Sequence, residues 1–238
     1  MRYVALAAVL SLCGCATAQV ALPPTESAAL MRELNGQQRF LRVSMNVMPF
    51  YGDATRRLLT PLEPTLVRFL DDTSGNPIDP GAVEATFPAG TPVRIAKVEF
   101  PSGWTMAERV LYTPRTLVWV YVDVEGRSRN APPAVLVLRP GLATKDDFMV
   151  ELEHHLTRED QASRLDGFSD VVREAIKKKQ AVRDMPATAL EMAWGFPESK
   201  RIELVDTQRR ETWSWGDGAR KAVLVDGRVQ EVIGAELH

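Results

Sequence analysis

The chain has 238 residues, of which 45% are hydrophobic and 25% are charged, and its formal net charge at pH 7 is −2. A near-neutral chain without a dense basic face lacks the electrostatic footprint of a nucleic-acid-binding protein, so no nucleic-acid partner is expected. Cys13 and Cys15 are the only cysteines, which excludes a disulfide framework or a cysteine-ligated zinc site in the rest of the chain.

The N-terminal segment has the pattern of a secretory signal peptide. Arg2 is followed by an apolar run over residues 4–12 and then by small residues. The run is too short for a membrane-spanning helix, which needs about 20 apolar residues. The tetrad Leu12-Cys13-Gly14-Cys15 resembles the lipobox of bacterial lipoproteins, in which cleavage before the last cysteine leaves its thiol to carry a diacylglycerol. The resemblance implies a signal peptide over residues 1–14 and lipidation at Cys15.

Lipidation implies a location in the bacterial cell envelope. Acyl chains on Cys15 would anchor the protein to a membrane, and Ala16 after the cysteine implies retention at the outer membrane, facing the periplasm. An alternative stays open, because residues 16–18 fit the small-x-small site of ordinary signal peptidase. Cleavage after Ala18 would release a soluble secreted or periplasmic protein. Residues 15–42 are expected to form a lipidated tether and a short helix with no role in the core.

Residues 43–140 are expected to form an all-β domain. The strongest strand covers residues 117–124, with valines on one face and two aromatic residues on the other. A one-residue slip of the apolar pattern near Ala96 and Lys97 predicts a β-bulge. The phrase Pro-Ala-Gly-Thr-Pro-Val-Arg-Ile at residues 88–95, followed by the aromatic strand, is similar to bacterial SH3-like barrels. The resemblance implies a small SH3-like β-barrel, from which the long insert over residues 71–84 departs.

The period of the apolar residues changes to that of a helix from Thr144 onward. Residues 144–164 are expected to form a connecting helix, with Thr144 as its N-cap. Within residues 166–238 the pattern predicts two helices and then strands. The dipeptide Asp226-Gly227 is a strong signal for a β-hairpin.

Several phrases of this C-terminal region carry a family resemblance. They are Met185, Ala193-Trp194-Gly195-Phe196-Pro197, Glu211-Thr212-Trp213-Ser214-Trp215-Gly216 and Val225-Asp226-Gly227-Arg228-Val229. They are similar to motifs of the BamE/SmpA-OmlA group and of related β-lactamase-inhibitor-protein-like modules. The resemblance implies two helices packed on a three-stranded antiparallel sheet and a non-enzymatic adaptor role. The expected fold class is therefore α+β, with a small SH3-like β-barrel domain followed by an αα-βββ module.

No motif for catalysis, metal binding or cofactor binding is evident. His154 and His155 are adjacent on a predicted helix and point about 100° apart, so they cannot clamp one metal ion between them. No serine lies in a G-x-S-x-G elbow. We therefore expect no catalytic residue, no metal and no cofactor. An enzyme with an unrecognised site would need a deep pocket that gathers carboxylates such as Asp71, Asp72, Glu151 or Glu153.

Tryptophans are the candidate partner-binding residues. Trp104 lies in a Pro-Ser-Gly-Trp loop, where an aromatic side chain can anchor a partner. Trp213 and Trp215 share one face of a strand, where they either pack against the helices or form an exposed aromatic pair. The expected function is that of a non-enzymatic lipoprotein that binds an envelope protein or a cell-wall component such as peptidoglycan. An inhibitor-type module that blocks an envelope hydrolase, and an enzyme with an unrecognised site, are the alternatives.

Overall fold

The computed structural model of the protein describes residues 20–205 and 207–238. The predicted signal peptide and Cys15 lie outside these residues. The helices are α1 (Pro24–Leu34), α2 (Gly103–Glu108), α3 (Lys145–His155), α4 (Ala162–Asp166), α5 (Asp170–Lys178) and α6 (Ala187–Trp194). The strands are β1 (Gln38–Leu41), β2 (Met45–Phe50), β3 (Asp53–Thr60), β4 (Ala85–Phe87), β5 (Pro92–Glu99), β6 (Trp119–Val124), β7 (Ala134–Val137), β8 (Leu156–Thr157), β9 (Ser199–Val205), β10 (Gln208–Trp215), β11 (Arg220–Val225) and β12 (Arg228–Ile233).

Strands β1 to β8 form one mixed sheet in the order β4-β2-β3-β7-β6-β5-β1-β8. β3 and β7 run parallel, and the other neighbouring pairs are antiparallel. β6 is buried on both faces, with its valines in the core that contains α1 and α3 and with Trp119 and Tyr121 in a second core behind the sheet. This confirms the predicted alternation. The predicted bulge is also confirmed, since the register of β5 shifts between Ile95 and Lys97.

The expected small SH3-like barrel is wrong. The sheet has eight strands, and β1 and β8 at one edge come from outside residues 43–140. Residues 66–70 contain the end of a 3₁₀ turn (Pro64–Leu66) and a loop rather than a strand. The physical reason is that both faces of the central strands are apolar, so each needs a covering layer. Helices α1 and α3 cover one face, and Leu62, Val67 and Phe69 of the segment between β3 and β4 cover the other.

The segment expected to be a tether belongs to the core from residue 20 onward. Leu22, Leu30 and Leu34 are buried among the side chains of the large sheet, and the amide of Ala21 donates a hydrogen bond to the carbonyl of Leu142. The sequence analysis missed this role because α1 has few apolar residues. Its two leucines, Leu30 and Leu34, are buried on the side of α1 that meets β5 and α3.

Leu34 provides a test of this role. We expect Leu34→Ala to lower the free energy of unfolding by roughly 2–5 kcal/mol, because the substitution leaves a cavity in a close-packed core. Met31 of the same helix is largely exposed, so Met31→Ala is the matched control and should change stability little. Denaturant titration followed by circular dichroism measures both. Equal effects of the two substitutions would contradict the role of α1 in the core.

The C-terminal part of the chain, from α5 onward, forms a second α/β unit. Helices α5 and α6 cover one face of an antiparallel sheet in the order β12-β11-β10-β9, around a core that contains Trp194, Trp213 and Trp215. The predicted hairpin is confirmed, since Val225 pairs with Arg228. The expected three-stranded sheet is wrong, because β9 adds a fourth strand at its edge. The predicted connecting helix over residues 144–164 is also interrupted. The chain leaves α3 after His155 and forms β8, which pairs with β1.

Lys179 joins the two units. It follows α5 in a left-handed conformation (φ 56°), which carries its side chain into the junction, where the residue is buried. Its ammonium donates to the carbonyls of Ser44 at 3.1 Å and Pro61 at 2.6 Å in the first unit, and to Ala193 at 3.0 Å in the second. These three acceptors match the three N–H donors of an ammonium group. Lys179 therefore stabilises the arrangement of both units at once.

Two glycines allow the backbones of the units to approach closely at the same junction. A Cβ atom on Gly195 (φ 86°) would lie 2.8 Å from the Cβ of Pro61, and one on Gly216 (φ 58°) would lie 2.7 Å from Leu66. Both glycines also have backbone conformations that other residues rarely adopt. Side chains at these positions would force the units apart.

The charge of Lys179 makes stability depend on pH. Burial lowers the pKa of Lys179 from its ordinary value of 10.5 to about 7, and the charge of Glu63 offsets only part of this effect. The unfolded chain keeps this proton up to about pH 10, so between pH 7 and 10 it binds more protons at this site than the folded chain does. The contribution of Lys179 to the free energy of unfolding must then rise with pH, by at most about 1.4 kcal/mol per pH unit.

We expect Lys179→Met to remove this rise. The measurement is the free energy of unfolding at pH 7, 8 and 9, compared with that of the unaltered chain. Lys178 is exposed, so Lys178→Met serves as the control and should keep the slope. Identical slopes in all three proteins would contradict the assignment.

Candidate functional site

Four exposed apolar side chains lie on the segment between β5 and β6. They are Trp104, Val110, Leu111 and Tyr112, and we call them together the Trp104 platform. Trp104 is 74% exposed, Tyr112 67% and Leu111 60%. Sequence analysis named Trp104 from its loop context, and the structure places it on the surface together with three neighbours that the sequence analysis did not single out.

The loop that carries the platform is held in place by Arg109. This arginine is buried, and its guanidinium donates to Glu99 Oε1 at 2.9 Å and to the carbonyls of Arg115 at 2.6 Å and Leu117 at 2.8 Å. The same group lies over the ring of Trp119, 3.8 Å from its centroid. Arg109 directly precedes Val110. Its contacts therefore hold the backbone in place where the exposed run Val110-Leu111-Tyr112 begins.

The start of the loop is also fixed locally. Ser102 caps α2, with its hydroxyl accepting from the amide of Thr105 while the Thr105 hydroxyl accepts from the amide of Ser102. This reciprocal pair is a capping box, which satisfies two helix-end donors. Trp104 therefore projects from a helical turn whose backbone is fixed. Because this backbone is already ordered, binding through the platform costs little conformational entropy.

The platform lies at the end of the large sheet where the described chain begins. Its loop leads into β6, and the carbonyl of Val118 accepts a hydrogen bond from the amide of Leu138, just after β7. Leu142, four residues further along, forms a β-bridge with Val20. The first described residue and the platform thus share one end of the sheet.

Trp213 and Trp215 do not form an exposed pair. Both are buried under the helices of the C-terminal unit, where Trp215 lies edge-on to Trp194 with ring centroids 5.2 Å apart. The indole N–H of Trp213 donates to Glu211, and that of Trp215 donates to the carbonyl of Gly195. Their assignment as partner-binding residues is wrong, because a strand covered by two helices uses its aromatic face for the core.

A cleft of about 290 Å³ lies between the two units. Phe69, Phe196 and Trp215 are among its walls, and one end carries Glu151 and the two adjacent histidines. Such an apolar pocket with convergent polar groups is a default position for a binding site.

The polar groups of the cleft are paired with one another. The buried Glu151 carboxylate lies 2.9 Å from the Arg139 Nε, 3.4 Å from the His155 Nε2 and 3.6 Å from the His154 Nδ1. Burial alone would raise the pKa of Glu151, but its interactions with the adjacent His154 and His155 outweigh this effect and hold the pKa well below its usual range. A carboxylate stabilised in its charged form is a poor general acid. The group therefore serves as an internal ion cluster.

The other carboxylates considered for an active site do not meet in this cleft. Asp71 and Asp72 lie in the exposed insert, where Asp72 accepts from the amides of Ser74 and Asn76 and closes a turn. Glu153 pairs with the buried Arg39 at 2.6 Å. Within residues 20–205 and 207–238, no three His, Cys, Asp or Glu side chains are grouped as metal ligands would be.

A wider groove of about 710 Å³ runs along the β6–β7 loop. The charged side chains in its wall include Arg94 and Asp123, which form an ion pair at 2.5 Å.

Over the described residues, no helix has the length and apolar character needed to cross a membrane.

Comparisons with known proteins return no relative. No family model, curated protein or solved structure matches the chain. The resemblances to the BamE/SmpA-OmlA group and to SH3-like modules therefore rest on the sequence motifs alone.

The sequence analysis missed Arg109 and the residues that follow it. The signal was present, because an arginine directly before Val-Leu-Tyr in a turn-rich segment is an unusual place for an apolar run. Only the fold showed that the arginine is buried and that the apolar side chains are exposed.

Arg109 can be tested separately from the platform that it holds. We expect Arg109→Met to increase chymotryptic cleavage within residues 103–112 about tenfold or more, because each lost hydrogen bond to a charged group contributes roughly 1.5–3 kcal/mol. Arg94→Met, which removes only an exposed ion pair, is the matched control and should leave cleavage unchanged. Equal protection of the loop in both variants would contradict the anchoring role.

Proposed function

We propose that this protein is a non-catalytic binding module of the bacterial cell envelope, anchored by lipid on Cys15, and that it docks an envelope protein through the Trp104 platform. The platform is the observation that carries the proposal. Large apolar side chains that cluster on the surface of a folded protein typically mark an interaction site. Tryptophan and tyrosine, which Trp104 and Tyr112 supply here, are enriched among the hot spots of protein–protein interfaces.

The position of the platform supports a partner at the membrane. Four residues separate Cys15 from Val20, so the extended chain between them spans at most about 18 Å. A lipid on Cys15 would therefore hold the Val20 end of the sheet close to the bilayer. Because the platform lies at that end, a membrane protein or its periplasmic edge is within reach.

A non-catalytic role fits the cleft as well. The Glu151 cluster is neutralised by its own neighbours, and the remaining candidate carboxylates lie elsewhere. A protein partner is favoured over a glycan because Val110 and Leu111 offer aliphatic area, which a hydroxyl-rich sugar chain matches poorly.

The proposal is tested by crosslinking in cells. A photoreactive phenylalanine analogue replaces Tyr112, and we expect a light-dependent adduct with an envelope protein. Trp104→Ala in the same chain should reduce this adduct at least about tenfold, since central aromatic anchors contribute 2 kcal/mol or more. The same probe at Val171, an exposed apolar residue of α5, is the control and should not give that adduct.

Other outcomes are informative. Adducts only with lipid, or co-sedimentation with purified peptidoglycan that depends on Trp104, would overturn the assignment of a protein partner.

Intact-mass analysis of the membrane fraction tests the anchor independently. A triacylated N-terminal Cys15 is expected, whereas a soluble chain that begins at Gln19 would contradict lipidation.

A further inference from the structure

The outer edge of the C-terminal sheet is open. β9 pairs with β10 on one side, no strand lies on its other side in the described chain, and every residue of β9 is exposed. Two apolar side chains stand out on this edge, Ile202 with 55% and Leu204 with 77% of its area exposed. An exposed edge of this length is a template for pairing with another strand.

The register with β10 determines which backbone groups are free. Two residues separate the paired Val205 and Gln208, so this pair closes a two-residue hairpin and is hydrogen-bonded. Bonded and non-bonded pairs alternate along an antiparallel ladder. The N–H and C=O groups of Lys200, Ile202 and Leu204 therefore point away from β10, toward the open edge.

The side chains of these three residues lie on the helix-covered face of the sheet. Lys200 stands opposite the buried Trp213, with its Nζ 3.9 Å from the ring centroid, and Ile202 stands opposite Glu211. Helices α5 and α6 leave this outer strand uncovered. Ile202 and Leu204 thus extend the apolar face of the sheet beyond its helical layer.

We propose that β9 pairs antiparallel with β9 of a second copy of this chain, about a two-fold axis at Ile202. Ile202 then faces its own copy, and Lys200 faces Leu204 of the second copy. All of these residues present their free backbone groups to one another, so the two sheets join through regular main-chain hydrogen bonds into one continuous sheet.

Charge selects this register and this partner. On the opposite face of the strand, Arg201 comes to lie against Glu203 of the second copy, and the reciprocal pair forms on the other side of the axis. An axis at Arg201 would place two guanidinium groups opposite each other, and an axis at Glu203 would place two carboxylates opposite each other. Directly opposed like charges destabilise a sheet, whereas opposite charges stabilise it. Within one chain Arg201 already contacts Glu203 at 2.6 Å. Both charged groups therefore lie at the positions along the strand that the pairing between the two copies requires.

The test is a charge swap read out by oligomeric state. Sedimentation of the full chain is compared for the wild type, Arg201→Glu, Glu203→Arg and the double swap, each with Cys15→Ser so that lipid does not drive association. We expect the wild type to dimerise and each single substitution to weaken the dimer about tenfold or more, because two attractive pairs become repulsive. The double swap should restore the dimer.

Mixing the two single variants gives the sharpest result. One chain then carries two carboxylates and the other two guanidinium groups, so a heterodimer should form, visible by native mass spectrometry. A wild type that stays monomeric, a dimer that is insensitive to the single swaps, or a dimer whose loss the double swap fails to reverse would overturn the proposal. An edge that instead captures an extended segment of another protein would appear as a monomeric wild type.

Amide exchange provides a second measurement. On dimerisation the amides of Ile202 and Leu204 should become protected, while those of Arg201 and Glu203, which bond to β10 within one chain, serve as the internal control. The side chains of Arg201 and Glu203 are exposed, so the charge substitutions should leave the fold unchanged by circular dichroism.

Discussion

The buried amino group of Lys179 makes the contacts on which the arrangement of the molecule depends. Three carbonyl acceptors from two separate α/β units converge on one nitrogen, at distances between 2.6 and 3.1 Å. A buried charge is costly unless its donors are all satisfied, so each unit must stay in place for the other to be stable. The hydroxyl of Ser44 adds to the same junction by donating to the carbonyl of Ile176. The junction therefore makes one rigid body out of two sheets and leaves their outer ends for contacts with other molecules.

Those outer ends carry the surfaces that the core does not use. The Trp104 platform lies at one end of the large sheet, held by a buried arginine, and the β9 edge lies at the border of the smaller sheet. The two surfaces differ in physical character. The platform offers apolar side-chain area, which suits a groove on a partner, whereas β9 offers main-chain donors and acceptors in a fixed register, which suits another strand. Binding at the platform and self-association at β9 can therefore occur on the same molecule.

Local features of this fold were predictable because they depend on neighbours in the sequence. The alternation along β6, the bulge near Ala96 and the Asp226-Gly227 turn each follow from the period of apolar residues or from backbone conformations that few residues adopt. Trp104 was predictable as an exposed candidate for the same reason, since its loop context is local. The number of strands in each sheet was not, because β1, β8 and β9 are short or weakly apolar and form only against a partner that lies elsewhere in the chain.

The sequence by itself determined the secondary-structure pattern, the location of the strongest strand and hairpin, and the motifs that predict an anchored envelope protein. Only the tertiary structure decided which apolar residues are covered. It placed Leu30 and Leu34 in the core, buried Trp213 and Trp215 and left Leu111 and Tyr112 exposed. Hydropathy is a property of one residue, whereas burial depends on what the rest of the chain packs against it, and that packing is set here by contacts between residues more than a hundred positions apart, such as Lys179 with Ser44.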